Sequence, residues 1–161
     1  MPTEVRIRIA EPKDVEAIAE LNVAMAWETE RLNLSQSTLT LGVQGVLENP
    51  NRGFYVVAES EGLVVGCLLI TFEWSDWRCG QFWYIQSLYI RPLFRRRGVF
   101  RQLHEFVKAQ AMSQPEVCGL RLYVEKSNRA AQQAYERIGM RAKAYKMYEQ
   151  MLPKQDPRRV S

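Results

Sequence analysis

The chain has 161 residues, of which 47% are hydrophobic and 25% are charged, and it carries a formal net charge of +4 at pH 7. This length and balance predict one globular domain, which we place at residues 1–152, followed by a frayed C-terminal tail at 153–161. They exclude a disordered chain, and no apolar run approaches the roughly 20 residues that a membrane-spanning helix needs.

The three cysteines, Cys67, Cys79 and Cys118, form neither an even disulfide framework nor a metal-ligand spacing, so no metal site is predicted. Cys67 and Cys118 lie in apolar, strand-like runs and are expected to be buried thiols. The first four residues lack the charged-then-apolar layout of a signal peptide. These features together predict a reducing, cytoplasmic location without membrane attachment.

Hydrophobic periodicity predicts the elements in chain order. The first half contains a strand at 5–9, a helix from Asp14 to Trp27, a polar loop over 28–37, a helix at 39–47 and strands at 54–58 and 63–72. Ser60, Glu61 and Gly62 predict a hairpin turn between the last two strands, and residues 73–80 are expected to connect to the next one.

The second half begins with an aromatic strand at 82–90 and continues, after a basic turn, with a helix that starts at Val99. A strand at 119–124, a helix at 129–138 ended by Gly139 and a last strand at 141–148 complete the pattern. His104, the one histidine of the chain, is expected at a flanking or exposed position of its helix and is assigned no role.

The most informative segment is the basic turn Arg95-Arg96-Arg97-Gly98, which leads from the aromatic strand into a helix. The first amide groups of a helix have no carbonyl partner inside it, and the helix dipole favours negative charge there. Gly98 has no side chain to keep an anion away from those amides, and arginine suits phosphate. The turn therefore predicts a pyrophosphate site, the alternative being a core strand followed by solvated arginines.

Residues 88–100 resemble the acetyl-CoA motif of the GNAT N-acetyltransferase superfamily, in which Gln/Arg-x-x-Gly-x-Gly/Ala follows a strand ending in Leu-x-Val-x-Pro. Phe100 stands where that family has Gly or Ala. Residues 128–140 resemble the family's Asn-x-x-Ala-x-x-x-Tyr-x-x-x-Gly-Phe segment. The two motifs occur in the family's order, and the element order β-α-α-β-β-β-α-β-α-β extends the resemblance over nearly the whole chain.

This resemblance implies an α/β (α+β) fold with a central, mostly antiparallel mixed sheet of about six to seven strands flanked by about four helices. It also implies acetyl-CoA as co-substrate. The backbone of Leu88, Tyr89 and Ile90 would hold pantetheine as an added strand does. The pyrophosphate would be held by the turn and helix start: Arg95, Arg96, Arg97, Gly98, Val99, Phe100 and Arg101.

Two residues of the second motif have roles implied by the resemblance and simpler alternatives. Tyr135 matches the family's general acid, because a phenol with a pKa near 10 is protonated at neutral pH and can donate to a departing thiolate. The alternative is that Tyr135 packs on the inner face of its helix. Asn128 matches an asparagine that bonds the cofactor, and the alternative is a helix N-cap.

The general base is sought among acids that stand next to tryptophan, because residues 82–90 contain no carboxylate. Glu73, beside Trp74, is the first candidate and Glu28, beside Trp27, is the second. A carboxylate walled by indole can have a raised pKa and accept a proton directly or through water. The same acids could instead bind a cationic amine, or be solvated turn residues.

The leading hypothesis is an N-acetyltransferase that moves an acetyl group from acetyl-CoA to a primary amine, small-molecule or peptide, by direct attack in a ternary complex. The two acidic-aromatic segments suggest a small cationic amine, polyamine-like or amino-acid-like. Alternatives are a non-catalytic acyl-CoA sensor and an enzyme that acetylates protein N-termini or lysines. The compact arginine cluster suits a small polyphosphate better than an extended nucleic acid, so an RNA-associated module is the weakest hypothesis. The sequence leaves open whether the chain forms a homodimer.

Overall fold

The computed structural model describes residues 4–153, which divide into a compact unit that extends to Tyr123 and a second one that begins at Val124. The strands are β1 (Arg6–Ile9), β2 (Gly53–Ser60), β3 (Leu63–Ser75), β4 (Gly80–Ile90) and β5 (Val117–Leu122). The helices are α1 (Val15–Glu30), α2 (Gln36–Leu47), α3 (Val99–Met112) and α4 (Arg129–Arg137). Of these elements, only α4 belongs to the second unit. Over residues 4–153, no helix combines the length and apolar character needed to cross a membrane.

The sheet has the order β1-β2-β3-β4-β5, antiparallel throughout except for the parallel pair β4–β5. This confirms the α/β fold with a mixed, mostly antiparallel sheet, although residues 4–153 contain five strands where about six to seven were predicted. Residues 141–148 are not a strand, and their side chains are all exposed. Alternating apolar and polar residues predict a strand, but a strand also needs a neighbouring strand with which its backbone can pair. The predicted tail lies outside the described residues from 154 onward.

Two hairpins connect β2 to β3 and β3 to β4. Glu61 and Gly62 form the first turn with φ of 49° and 79°, the left-handed pair that a tight two-residue hairpin uses. The second hairpin corrects the prediction that residues 73–80 form a connection. β3 continues to Ser75, so that Glu73 pairs with Phe82 within the sheet. The polar side chain of Glu73 resembled that of a loop residue. It lies in a strand because only one face of this part of the hairpin is apolar, and Glu73 lies on the other face.

The two faces of the sheet are covered differently. α3 packs across one face, where Trp83, Ile85 and Leu103 belong to one continuous apolar cluster. α1 and α2 pack on the other face, in a cluster that contains Val57, Cys67 and Tyr89 and has Leu69 at its margin. Beyond Leu69 that face carries polar and aromatic side chains instead: Thr71, Glu73, Phe82, Tyr84, Gln86, Arg121 and Tyr123.

Three local predictions are wrong. α1 continues to Glu30 and is closed by Arg31 in the left-handed conformation, so Glu28 lies in its last turn rather than in a loop. Polar residues on the solvent side of a helix end look like loop residues in the sequence. Cys118 is exposed, because it is the extra residue where the β4–β5 register shifts between the pairs Gln81–Val117 and Phe82–Gly119, whereas Cys67 is buried as predicted. His104 is buried rather than exposed, because α3 turns it toward the sheet beside Leu103, and burial lowers its pKa.

Candidate active site

β4 bends and loses its β5 partner in its second half. Cys67 pairs with Tyr89 and Leu69 pairs with Gln86, so β4 has one residue more than β3 over this interval, and Ser87 takes a φ of 51°. This is a β-bulge. The pairing of β4 with β5 ends at Ile85, opposite Leu122. The backbone of the last residues of β4, including the predicted Leu88, Tyr89 and Ile90, therefore presents an edge on which an extended ligand can add as a strand.

The basic turn beyond β4 is shaped by two residues with positive φ, Arg96 at 62° and Gly98 at 79°. Backbone that alternates between right- and left-handed conformations turns its N–H groups inward and forms a concave anion site. A Cβ at Gly98 would meet no atom within 4 Å, so the space in front of the turn is open. α3 then begins at Val99, which is buried, and the Phe100 ring lies 6.4 Å from that of His104.

The arginines of the turn divide into two groups. Arg95 directs its guanidinium back toward the protein, donating from Nε to the Ile90 carbonyl at 2.8 Å and lying 5.2 Å from the Tyr89 ring centroid. All four arginines are exposed, but the other three lack these hydrogen bonds; Arg97 lies 5.7 Å from the Phe94 ring centroid. The guanidinium groups best placed to meet a phosphate that approaches from solvent are therefore those of Arg96, Arg97 and Arg101.

The carboxylate of Glu28 joins α1 to β4 and to the basic turn. Its Oε1 lies 2.7 Å from Arg95 Nη1, while its Oε2 accepts from Arg95 Nη2 and from the Tyr89 hydroxyl, both at 3.0 Å. The Arg95 hydrogen bond holds the pKa of Glu28 below its ordinary value, and burial raises the pKa of Tyr89. The raised carboxyl pKa expected beside tryptophan is thus not found at Glu28. We name Glu28, Tyr89 and Arg95 the Glu28 cluster.

Glu73, the other candidate base, lies in a looser arrangement on the open part of the sheet. Arg121 Nη1 approaches Glu73 Oε1 at 3.4 Å, and the Cζ atom of Arg121 lies over Phe82, 3.6 Å from its ring centroid. Arg78 lies 5.1 Å from the same centroid. Trp74 is 58% exposed, so it does not enclose the neighbouring carboxylate as the sequence suggested.

Two tyrosines continue this surface toward the point where β4 and β5 separate. The Tyr84 and Tyr123 rings stack with centroids 5.2 Å apart, and a hydrogen bond with Tyr84 raises the pKa of Tyr123. Gln86 Nε2 donates to Thr71 Oγ1 at 2.5 Å. We name the surface formed by Thr71, Glu73, Phe82, Tyr84, Gln86, Arg121 and Tyr123 the Phe82 patch. Of its members, only Glu73 was predicted from the sequence as a site residue. The alternation of Phe82, Tyr84 and Gln86 was a signal that they share a face.

The second unit contains the remaining predicted residues. Asn128 Oδ1 accepts from the backbone N–H of Ala131 at 3.1 Å, which confirms the helix N-cap alternative. Tyr135 lies in the last turns of α4, and burial raises its pKa. Its phenol therefore carries its proton throughout the neutral range.

The sequence model of the acetyltransferase (GNAT) family matches residues 16–140. A crystal structure from Clostridium difficile 630, described as a possible acetyltransferase, is 38% identical with a TM-score of 0.86, and the match covers 93% of this chain and 99% of that one. An aminoglycoside N-acetyltransferase in complex with CoA has a TM-score of 0.78 at 14% identity, covering 94% and 97%. A ribosomal-protein-alanine N-acetyltransferase from Brucella melitensis biovar Abortus 2308 has a TM-score of 0.74 at 16% identity, covering 93% and 100%. A search of curated proteins found no significant match.

Proposed function

Because the chain belongs to the GNAT acetyltransferase family, we propose that it transfers an acetyl group from acetyl-CoA to a primary amine by direct attack within a ternary complex. The observation that carries the proposal is the end of β4, where a bulge and the loss of the β5 partner lead directly into the Gly98 turn. An edge that can accept an added strand suits an extended thioester arm, and an open turn before a helix suits the pyrophosphate that follows it.

In this proposal the backbone of Leu88, Tyr89 and Ile90 binds the pantetheine arm. The amides from Gly98 to Arg101 bind the pyrophosphate, with the exposed guanidinium groups of Arg96, Arg97 and Arg101 around it. Arg95 contributes through its place in the turn, since Glu28 already occupies its guanidinium. Asn128, whose side-chain oxygen caps α4, retains an amide nitrogen that can donate to the cofactor.

When bound, acetyl-CoA supplies the acetyl group, whose carbonyl carbon forms a bond to the amine nitrogen as its bond to sulfur breaks. Tyr135 gives its phenolic proton to the departing sulfur. The attacking nitrogen gives up a proton to a base, for which Glu73 and Glu28 remain the candidates. Glu28 is the weaker one, because Arg95 and Tyr89 already engage both of its oxygens and its pKa is lowered.

Two experiments test the central proposal. Acetyl-CoA at 100 times its dissociation constant is expected to stabilise the fold by about 2.7 kcal/mol, because it binds the native state alone. Thiol release measured across a panel of primary amines is then expected to identify at least one acceptor. An unchanged melting temperature in excess acetyl-CoA would refute the cofactor assignment, and binding without turnover of any amine or peptide would favour the acyl-CoA sensor.

Tyr135→Phe tests the general acid, since it removes one hydroxyl and keeps the ring. We expect turnover to fall by roughly 10²- to 10⁴-fold with little change in the acetyl-CoA dissociation constant, the signature of an interaction made in the transition state. The ring retained in the variant preserves packing, so thermal stability serves as the control. Turnover within a few-fold of wild type on a good acceptor would leave Tyr135 as a packing residue.

A further inference from the structure

The Phe82 patch lies on the face of the sheet that carries α1 and α2, beyond the apolar cluster those helices form. It reaches the site of the reaction proposed above. Its last members along the strands, Gln86 and Tyr123, are the first residues after the final β4–β5 pair, Ile85 with Leu122. A ligand on the patch therefore extends directly to the segment of β4 that the thioester arm would occupy.

At the opposite end of the patch, the guanidinium of Arg121 lies over Phe82 and is available to a ligand. Arg121 Cζ lies 3.6 Å from the Phe82 ring centroid, and a guanidinium over an aromatic face is favourable. Arginine has five N–H donors, and the contact between Arg121 and Glu73 is a single approach at 3.4 Å. With Arg78 near the same ring, two cations and one carboxylate are assembled around Phe82. This surplus of positive charge fits an anionic group on the ligand.

The strand spacing gives the length of such a ligand. Phe82 and Gln86 are four residues apart on β4, which corresponds to about 13 Å at a rise of about 3.3 Å per residue. About 3 Å of this span is taken by the hydrogen bond between the ligand's carboxylate and Arg121. The ligand's amine therefore lies about 10 Å from its carboxylate. A single α-amino acid is too short for this span, whereas three residues of extended peptide cover it. Between its ends the ligand crosses the stacked Tyr84 and Tyr123 rings.

We propose that the Phe82 patch binds an extended primary-amine acceptor whose carboxylate, about 10 Å from the reacting nitrogen, pairs with Arg121. The inference rests on the proposed acetyl transfer and specifies its acceptor class. It places Glu73 at the carboxylate end of the acceptor, too far from the amine to take its proton directly. A free C-terminus and an acidic side chain supply the same carboxylate, so the acceptor is a short peptide with a carboxylate at its third residue or an ω-amino acid of equal length. A polycationic amine is disfavoured, because Arg121 and Arg78 repel it.

The test is a length series of oligoglycines from one to five residues, each with a free or an amidated C-terminus, assayed by thiol release at saturating acetyl-CoA. We expect the greatest kcat/KM at about three residues, with the free acid preferred over the amide by about 10- to 100-fold, the usual range for a charge-assisted hydrogen bond. Gly-Gly-Glu-amide separates the two sources of the carboxylate: activity restored relative to Gly-Gly-Gly-amide assigns it to a side chain.

Arg121→Met is expected to abolish the preference for the acid and leave the acetyl-CoA dissociation constant unchanged, while Arg121→Lys retains part of it. Arg6→Met is the matched control, because Arg6 is an exposed arginine on β1 at the opposite edge of the sheet. A preference for the amides, an optimum at a single glycine, or a preference that survives Arg121→Met would overturn the inference.

The same peptides are also titrated by calorimetry into the CoA-saturated protein. This measurement distinguishes failure of the acceptor surface from failure of the proposed acetyl transfer. Arg121-dependent binding without thiol release would refute acetyl transfer to these peptides and retain the acceptor surface. Thiol release with amines that lack a carboxylate, insensitive to Arg121→Met, would retain the acetyltransferase and refute the surface.

Discussion

Two glutamate–arginine pairs on the same sheet face differ in how firmly they are held. Glu28 and Arg95 meet through both carboxylate oxygens at 2.7 and 3.0 Å, and Arg95 is further fixed by the Ile90 carbonyl. Glu73 and Arg121 meet through a single approach at 3.4 Å, with 53% of the Glu73 side chain exposed. The first pair satisfies its own charges, whereas the second leaves most of the hydrogen-bonding capacity of Arg121 available.

This difference separates two uses of the same residue types. A two-point contact between guanidinium and carboxylate fixes geometry, which suits a pair that connects α1 to the turn where the cofactor is proposed to bind. A single long contact is easily exchanged for a ligand carboxylate, which suits a surface that selects an acceptor. Both glutamates were candidate bases in the sequence, where nothing distinguished them.

Gly98→Glu gives the largest expected effect, because it tests whether the turn supported by the Glu28 cluster is the phosphate site. The glutamate places bulk and negative charge in the open space before the turn, so acetyl-CoA binding measured by calorimetry is expected to be lost. Gly98→Ala is the matched control. It has the same strain from a φ of 79°, and its Cβ meets no atom within 4 Å, so it should keep most of the affinity. Equal affinities in a folded pair of variants would place the phosphates elsewhere.

Glu73→Gln and Glu28→Gln are expected to act on different substrates. Glu73→Gln removes the competing carboxylate from Arg121, so KM for acidic acceptors should fall a few-fold while the acetyl-CoA dissociation constant stays constant. If turnover by the same variant instead decreases by roughly 10²-fold or more, Glu73 is the base, and the acceptor's carboxylate does not lie at Arg121 beside it. An unchanged KM together with unchanged turnover would show that Glu73 takes no part in acceptor binding or proton transfer.

Glu28→Gln is expected to weaken acetyl-CoA binding by about 2- to 5-fold, as suits an ion pair that is partly exposed, and to leave acceptor KM unaltered. The physical reason is that Arg95 loses its charged partner and the turn loses its fixed geometry. Steady-state kinetics with each substrate varied in turn measures both constants. If both variants affect the same substrate, the two ion pairs do not have the separate roles proposed for them.

The sequence was sufficient for features that depend on local chemistry. The Glu61–Gly62 hairpin, the Gly98 turn and the Asn128 cap each follow from what one or two residues prefer. The Phe82 patch could not be predicted, because Arg121 reaches Phe82 only through the parallel pairing of β4 with β5, which brings together residues far apart in the chain. The partnership of Glu28 with Arg95 required knowing that α1 continues for another turn. The roles of Tyr135 and Glu73 remain predictions.

The smallest expected effect is the pH dependence of stability from the Glu28 cluster. The pKa of Glu28 is lowered from 4.5 by its hydrogen bond from Arg95, so its stabilisation is complete above pH 4.5 and is lost as the pH falls through the lower folded value. The pKa of Tyr89 is raised from 10.0, so its contribution is complete below pH 10 and is lost as the pH rises through the folded value.

The difference in melting temperature between wild type and Glu28→Gln should therefore be constant from about pH 5 to about pH 9 and shrink below pH 4.5. Subtracting the variant removes the parallel titration of Asp14, whose pKa is lowered by Arg8. A difference that persists undiminished in acid would show that the Glu28 charge does not hold Arg95 in solution.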